Sequence, residues 1–198
     1  MSQQVIVALD VPSVREAAGL AGVIRASWYK VGLELIYSKD GLRFARQLKM
    51  AGVKLFLDAK LSDVPTTVER ATAAICREIE PEFLSVRNNV EAALKGASGI
   101  TRIAHVPYLT SDREQYCIAT PAPALVCSAH LARNYRHDFG ILDKTLIVPG
   151  IRLPGNISDD HAVPAASCEE ADFLVIGRPI TRADDPYAAY KKFLEIAA

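Results

Sequence analysis

The stretch Leu55-Phe56-Leu57-Asp58-Ala59-Lys60-Leu61-Ser62-Asp63-Val64-Pro65-Thr66-Thr67 decides the fold. It opens as an apolar strand, ends in charge, and hands over at Pro65 to a helical pattern. Strand alternation puts Phe56, Asp58 and Lys60 on one face and Leu55, Leu57 and Ala59 on the other. The second set is uniformly apolar and suits a side covered by helices. Asp58 and Lys60 then point toward the mouth of whatever the strands enclose.

The same order recurs in both directions along the chain. Strand-like runs are expected at residues 5–9, 28–31, 54–59, 83–86, 102–106, 125–127, 146–148 and 173–176. Helical patterns are expected from about 13 to 25 and over 38–51, 66–79 and 186–196. Ser13 and Glu16 stand at capping-box spacing. In the last helix Tyr187, Tyr190, Phe193 and Leu194 are expected on one face. Repeated strand–helix order argues for a parallel sheet with helices outside. Eight such units point to a closed (β/α)₈ TIM barrel, one compact domain over residues 1–198 with short loops. Residues 111–123 are the least regular, with Pro121-Ala122-Pro123 reading as loop.

Composition narrows the function. Half the residues are hydrophobic and 23% are charged, which excludes a disordered chain or a coiled-coil rod. Lys and Arg total 23, as do Asp and Glu, so the basic excess of a nucleic-acid polymer binder is missing. No apolar run reaches the ~20 residues that cross a bilayer. The start, Met1-Ser2-Gln3-Gln4, lacks a basic leader, and a cytoplasmic protein is expected. Cysteines at 76, 117, 127 and 168 form no C-x-x-C, and histidines at 105, 130, 137 and 161 form no zinc-type pair. Reduced thiols and no metal are expected.

In a barrel of this type, chemistry sits at the C-terminal ends of strands. The first strand runs to Ala8-Leu9-Asp10, with Ile6, Ala8 and Asp10 sharing a face. The second runs Trp28-Tyr29-Lys30-Val31-Gly32, with Trp28 and Lys30 sharing a face. A single such charge would read as an ion pair capping the barrel. Three successive strands ending in inward charges read as a site, because charges gathered there are costly to desolvate without a use. Lys30, Asp58, Lys60 and Asp63 can form a neutralised chain of four. A second group follows strands seven and eight, at Pro149-Gly150 and Gly177-Arg178-Pro179. Loops there commonly grip phosphate, glycine allows close backbone approach, and arginine binds phosphate oxygens in pairs. Either pair could also be a plain structural turn.

The chain resembles the orotidine 5′-phosphate decarboxylase family in its compact form. Phe56 to Thr67 looks like that family's D-x-K-x-x-D-[IV]-P-x-T signature, joined to Lys30-Val31-Gly32 before it and Ile176-Gly177-Arg178-Pro179-Ile180 after it. The resemblance implies loss of CO₂ from C6 of orotidine 5′-phosphate to give uridine 5′-phosphate (UMP), without metal or cofactor. It implies that Asp10 and Lys30 meet the ribose hydroxyls and that Asp58 lies against the substrate carboxylate. Lys60 would deliver a proton to C6. Asp63 and Thr67 would reach into the partner's site of a homodimer. Thr110 would hydrogen-bond the pyrimidine, although it reads equally as a helix N-cap before Asp112. Pro149, Gly150, Gly155, Gly177 and Arg178 would hold the substrate, with Arg178 on phosphate.

Related sugar-phosphate lyases and epimerases share D-x-K-x-x-D, but typically carry Glu in place of Lys30 and use magnesium. A metal-dependent enzyme of that kind is one alternative, and a catalytically silent nucleotide-binding barrel is another. The second draws on the loop from Gly150 to Asn156, which has no Gln where family members carry one to close over phosphate and base. Asn156 and His161 are the candidate substitutes. Ser85-Val86-Arg87-Asn88 stands in place of the family's Val-His on strand four.

Overall fold

A computed structural model of the chain describes residues 3–107, 120–138, 143–153 and 163–198. Its centre is a closed barrel of eight strands: β1 (Gln4–Ala8), β2 (Trp28–Val31), β3 (Lys54–Leu61), β4 (Phe83–Val86), β5 (Arg102–His105), β6 (Ala124–Val126), β7 (Thr145–Pro149) and β10 (Phe173–Ile176). All eight pairings are parallel, and β10 closes onto β1. The (β/α)₈ expectation therefore holds. Two very short strands, β8 (Ile151–Arg152) and β9 (Val163–Pro164), pair beside the barrel and were not foreseen. Two residues each are too few to show a strand period.

Strand alternation sorts the core into two layers. Val5, Val7, Tyr29, Val31, Leu55, Leu57, Leu84 and Ile103 face the helices. Ile6, Ala8, Trp28, Phe56, Phe83, Ala104, Ala124, Ile147, Phe173 and Val175 fill the barrel. The filling is lopsided. Trp28 stacks on Phe83 at 5.5 Å between ring centroids, and Phe173 meets both edge-on at 5.0 and 5.1 Å. The small Ala104 and Ala124 opposite leave room for this aromatic block. Cations cover its lower rim, Lys54 over Trp28 and Arg102 over Phe83. Among the described residues the barrel is thus plugged at its N-terminal end, which leaves the C-terminal end for a site.

The helices are α1 (Val14–Ile24), α2 (Leu33–Ile36), α3 (Gly41–Met50), α4 (Pro65–Glu78), α5 (Val90–Gly96), α6 (Ala129–His137), α7 (Arg178–Thr181) and α8 (Pro186–Ala197). Ser13 caps α1 by accepting from the Glu16 N–H at 3.2 Å. Pro65 opens α4. The expected helix over 38–51 starts later, at Gly41. Asp40 turns left-handed there, with φ 67°, and a Cβ on Gly41 would collide with the Leu35 carbonyl. In α8 the buried stripe is Tyr190, Phe193 and Ala197, while Tyr187 and Leu194 are exposed. The expected face was right at Tyr190 and Phe193 but too wide, because the barrel takes only a narrow stripe.

Cys76, Cys127 and Cys168 are buried and form no disulfide with one another, and Cys117 lies outside the described residues. Among the described residues, no helix is long and apolar enough to cross a membrane.

Candidate active site

The site is built one layer above the barrel plug. Two residues beyond Trp28, Phe56 and Phe83 on the same strands come Lys30, Asp58 and Ser85, and Asp10 stands two residues past Ala8, just beyond the end of β1. The ammonium of Lys30 lies 2.7 Å from Asp10 Oδ1 and 3.5 Å from Asp58 Oδ2. Lys60 Nζ lies 2.6 Å from the same Asp58 oxygen. Lys30 and Asp58 are each only 8% exposed, whereas Asp10 opens to solvent. One carboxylate oxygen therefore serves two ammonium groups inside a nearly dry cup.

Burial alone would raise the pKa of Asp58. The charges of Lys30 and Lys60, with hydrogen bonds from Lys60 and Ser85, more than offset this and hold it below the ordinary carboxylate value. Asp58 is thus a fixed negative charge at neutral pH.

Lys60 reaches Asp58 through an irregularity that alternation does not predict. From Leu57 to Leu61, β3 advances four residues while β4 advances two, from Leu84 to Val86. Lys60 sits in this bulge with φ 49°, a left-handed conformation that non-glycine residues rarely adopt. Such strain in a strand end is a mark of functional sites.

Gly32 closes the cup from the side. A Cβ there would stand 2.8 Å from Asp10 Oδ1 and 2.9 Å from Lys30 Nζ. The glycine of Lys30-Val31-Gly32 leaves space for the ion pair. On the far side, Gly177 is the N-cap of α7, and a Cβ on it would lie 3.5 Å from Ala8 Cβ and 4.0 Å from Asp10 Oδ2. The strand-eight turn thereby sits next to the Asp10 end of the cup, with exposed Arg178 beginning α7. Pro149 pairs with Val175, and Gly150 takes φ 82°, where glycine is favoured.

Within one chain the charged chain of four differs from the expected one. It runs Asp10–Lys30–Asp58–Lys60, and Asp63 stands outside it. Asp63 is exposed, and its Oδ1 accepts from the Val64 N–H at 2.7 Å. Thr67 is exposed one helical turn further on. The strand-four loop grips the Asp63 backbone: Asn88 Oδ1 accepts from its N–H at 3.3 Å, and Asn89 Nδ2 donates to its carbonyl at 2.6 Å. Thr110, Gly155, Asn156 and His161 lie outside the described residues.

Sequence reading missed Ser85 and Gly32 as parts of the site. Ser85 carried a signal, being a polar residue on the inward face of an otherwise apolar strand. Gly32 carried one too, as a glycine directly behind an inward lysine.

The chain matches the family described as Orotidine 5′-phosphate decarboxylase / HUMPS over residues 3–103 and 114–193. It belongs to that family. Among its relatives, an orotidine 5′-phosphate decarboxylase of Thermobifida fusca is 38% identical over 221 residues, covering 96% of this chain and 93% of that protein. Another, of Bradyrhizobium sp., is 37% identical over 216 residues, covering 94% and 88%. In fold, the crystal structure of orotidine 5′-phosphate decarboxylase from Lactobacillus acidophilus superposes with a TM-score of 0.81 at 24% identity, over 98% of this chain and 99% of that one. Family membership covers both strand ends just described, from the Asp10–Lys30 pair to the Arg178 turn.

Proposed function

We infer that this chain is an orotidine 5′-phosphate decarboxylase, a carboxy-lyase of pyrimidine biosynthesis that removes CO₂ from C6 of its substrate and leaves UMP. The observation that carries the reading is the single Asp58 oxygen held between Lys30 and Lys60, in a chain of this family. Its decarboxylase relatives favour it over a sugar-phosphate lyase or epimerase.

The chemistry follows from the charges. When the bond from C6 to the carboxylate breaks, its electron pair stays on C6, in the plane of the ring and without a carbonyl to take it up. The protein must stabilise that charge by placement. In this proposal Lys60 lies beside C6, offsets the growing negative charge, then gives it a proton and is reprotonated from solvent. Asp58 faces the departing carboxylate and disfavours the bound substrate by like charge. Asp10 and Lys30 hold the ribose hydroxyls. Arg178, with Gly150 and Gly177, holds the phosphate, Thr110 holds the pyrimidine, and Pro149 and Gly155 line the substrate site. Phosphate binding far from C6 supplies energy for closing the site.

The proposal includes one domain over 1–198 and a homodimer in which Asp63 and Thr67 complete the partner's site. Exposure of Asp63, Val64 and Thr67 on one rim, with Asp63 off its own Lys60, supports this. Three buried cysteines without a disulfide among them support a reducing compartment, the cytoplasm. The test is the absorbance change on adding orotidine 5′-phosphate, with and without exhaustive chelation. Equal decarboxylation in both is expected. Activity that vanishes with chelator and returns with Mg²⁺ rejects the reading, as does tight UMP binding without any CO₂ release.

A further inference from the structure

Ser85 is fully buried on the inward face of β4, one layer above Phe83. Its hydroxyl donates to Asp58 Oδ1 at 2.8 Å and accepts from the Lys60 backbone N–H, also at 2.8 Å. These bonds have a fixed polarity. A backbone N–H can only donate, and the hydroxyl has one proton, so that proton goes to Asp58. The carboxylate is thereby divided between its two oxygens. Oδ1 belongs to Ser85, and Oδ2 is left for Lys30 and Lys60. The bulge takes the Lys60 N–H out of register with β4, and Ser85 satisfies it. One hydroxyl therefore fixes both the plane of Asp58 and the left-handed backbone that aims Lys60.

We propose that Ser85 is a positioning residue of the reaction, which sets the carboxylate of Asp58 and the ammonium of Lys60 as one unit without touching substrate. The proposal rests on the decarboxylase reading and deepens it. Asp58 opposes a carboxylate that substrate carries and UMP lacks, so Ser85 acts on the chemical step and leaves product binding almost untouched. Losing its donated bond also makes Asp58 easier to protonate.

The test is Ser85→Ala in the full chain. Expected are a fall in kcat of about 10- to 100-fold, as for a lost charge-assisted bond, and UMP affinity within about threefold of wild type, the mark of an interaction confined to the chemical step. The acid limb of kcat against pH moves upward. If the alanine variant does not fold, Ser85→Cys, close in volume with a weaker donor, carries the same expectations. A kcat within about threefold of wild type overturns the inference. So does an equal loss of kcat and UMP affinity with an unmoved acid limb, which is the signature of a structural role. Wild-type protein that releases no CO₂ overturns the decarboxylase reading and this inference together. An active wild type with an indifferent Ser85 variant overturns this inference alone.

Discussion

Lys60 Nζ lies 2.6 Å from Asp58 Oδ2, although the two residues are only two apart on one strand. In a regular strand, residues two apart share a face but stand side by side, as Phe56 and Asp58 do. The left-handed turn at Lys60 folds the later side chain back over the earlier one. The pairing is a property of the bulge as much as of the residue types.

The bulge separates backbone strain from chemistry. Lys60→Ala and Lys60→Gly should both lower kcat at least a hundredfold or so, as for a lost proton donor. Their stabilities should differ. Glycine accepts φ 49° freely and alanine does not, so Lys60→Gly is expected to be more stable by about 1 kcal/mol. Denaturant titration of the two variants checks this, and an alanine variant as stable as the glycine one would show that the bulge is not strained.

Gly32→Ala tests the Asp10–Lys30 pair. The backbone at Gly32, with φ −100°, accepts alanine, so the new Cβ meets only the ends of two flexible side chains. Stability should change by less than about 1 kcal/mol. Displacing the pair should weaken nucleotide binding about tenfold, read by titration calorimetry with UMP. Unchanged affinity would remove Asp10 and Lys30 from the binding surface.

Acid sensitivity should trace partly to His105. It is 3% exposed, and its Nδ1 has no hydrogen-bond partner. Burial pushes its pKa below the ordinary histidine value, against a smaller opposing pull from a hydrogen bond to the Arg87 backbone. The sign follows from linkage. Below the unfolded value near 6.5 the unfolded chain binds a proton that the folded chain resists, so stability is lost as pH falls. His105→Gln should lose less stability than wild type between about pH 7 and 5, the difference growing by at most about 1.4 kcal/mol per pH unit. Parallel denaturation curves for both proteins across that range would reject the assignment. Other histidines are common to both proteins and cancel.

The proposed sharing of sites between subunits makes a numerical prediction. Mixing inactive Lys60→Ala and Asp63→Ala under subunit exchange makes about half of the dimers mixed. Each mixed dimer has one site with its own Lys60 and the partner's Asp63, so roughly a quarter of all sites are whole. Activity should climb toward that fraction. Verified exchange without recovery would place Asp63 in its own chain's site or show that the dimer is not the catalytic unit.

Much of this was legible from residue order. Alternation in Phe56-Leu57-Asp58 separates barrel filling from helix-facing core, and β4 and β10 keep their expected bounds. These depend on local period and hydrophobicity, which a sequence carries directly. Inward placement of Lys30 and Asp58 follows from the same period. The break before Gly41 and the width of the buried stripe on α8 were not legible, since a carbonyl at Leu35 sets the first and packing against the barrel leaves Tyr187 and Leu194 outside the second.

The sequence by itself determined the parallel barrel and the charged residues that reach its mouth. Tertiary structure alone decided how those charges pair. It replaced Asp63 by Asp10 in the chain of four, because Lys30 meets the strand beside it while Asp63 leaves the barrel with α4. It brought Ser85 to Asp58 and to the Lys60 N–H, because register between β3 and β4 shifts at the bulge. Period is a local property of a chain. Which oxygen meets which ammonium depends on the register of separate strands, and only the closed barrel fixes that.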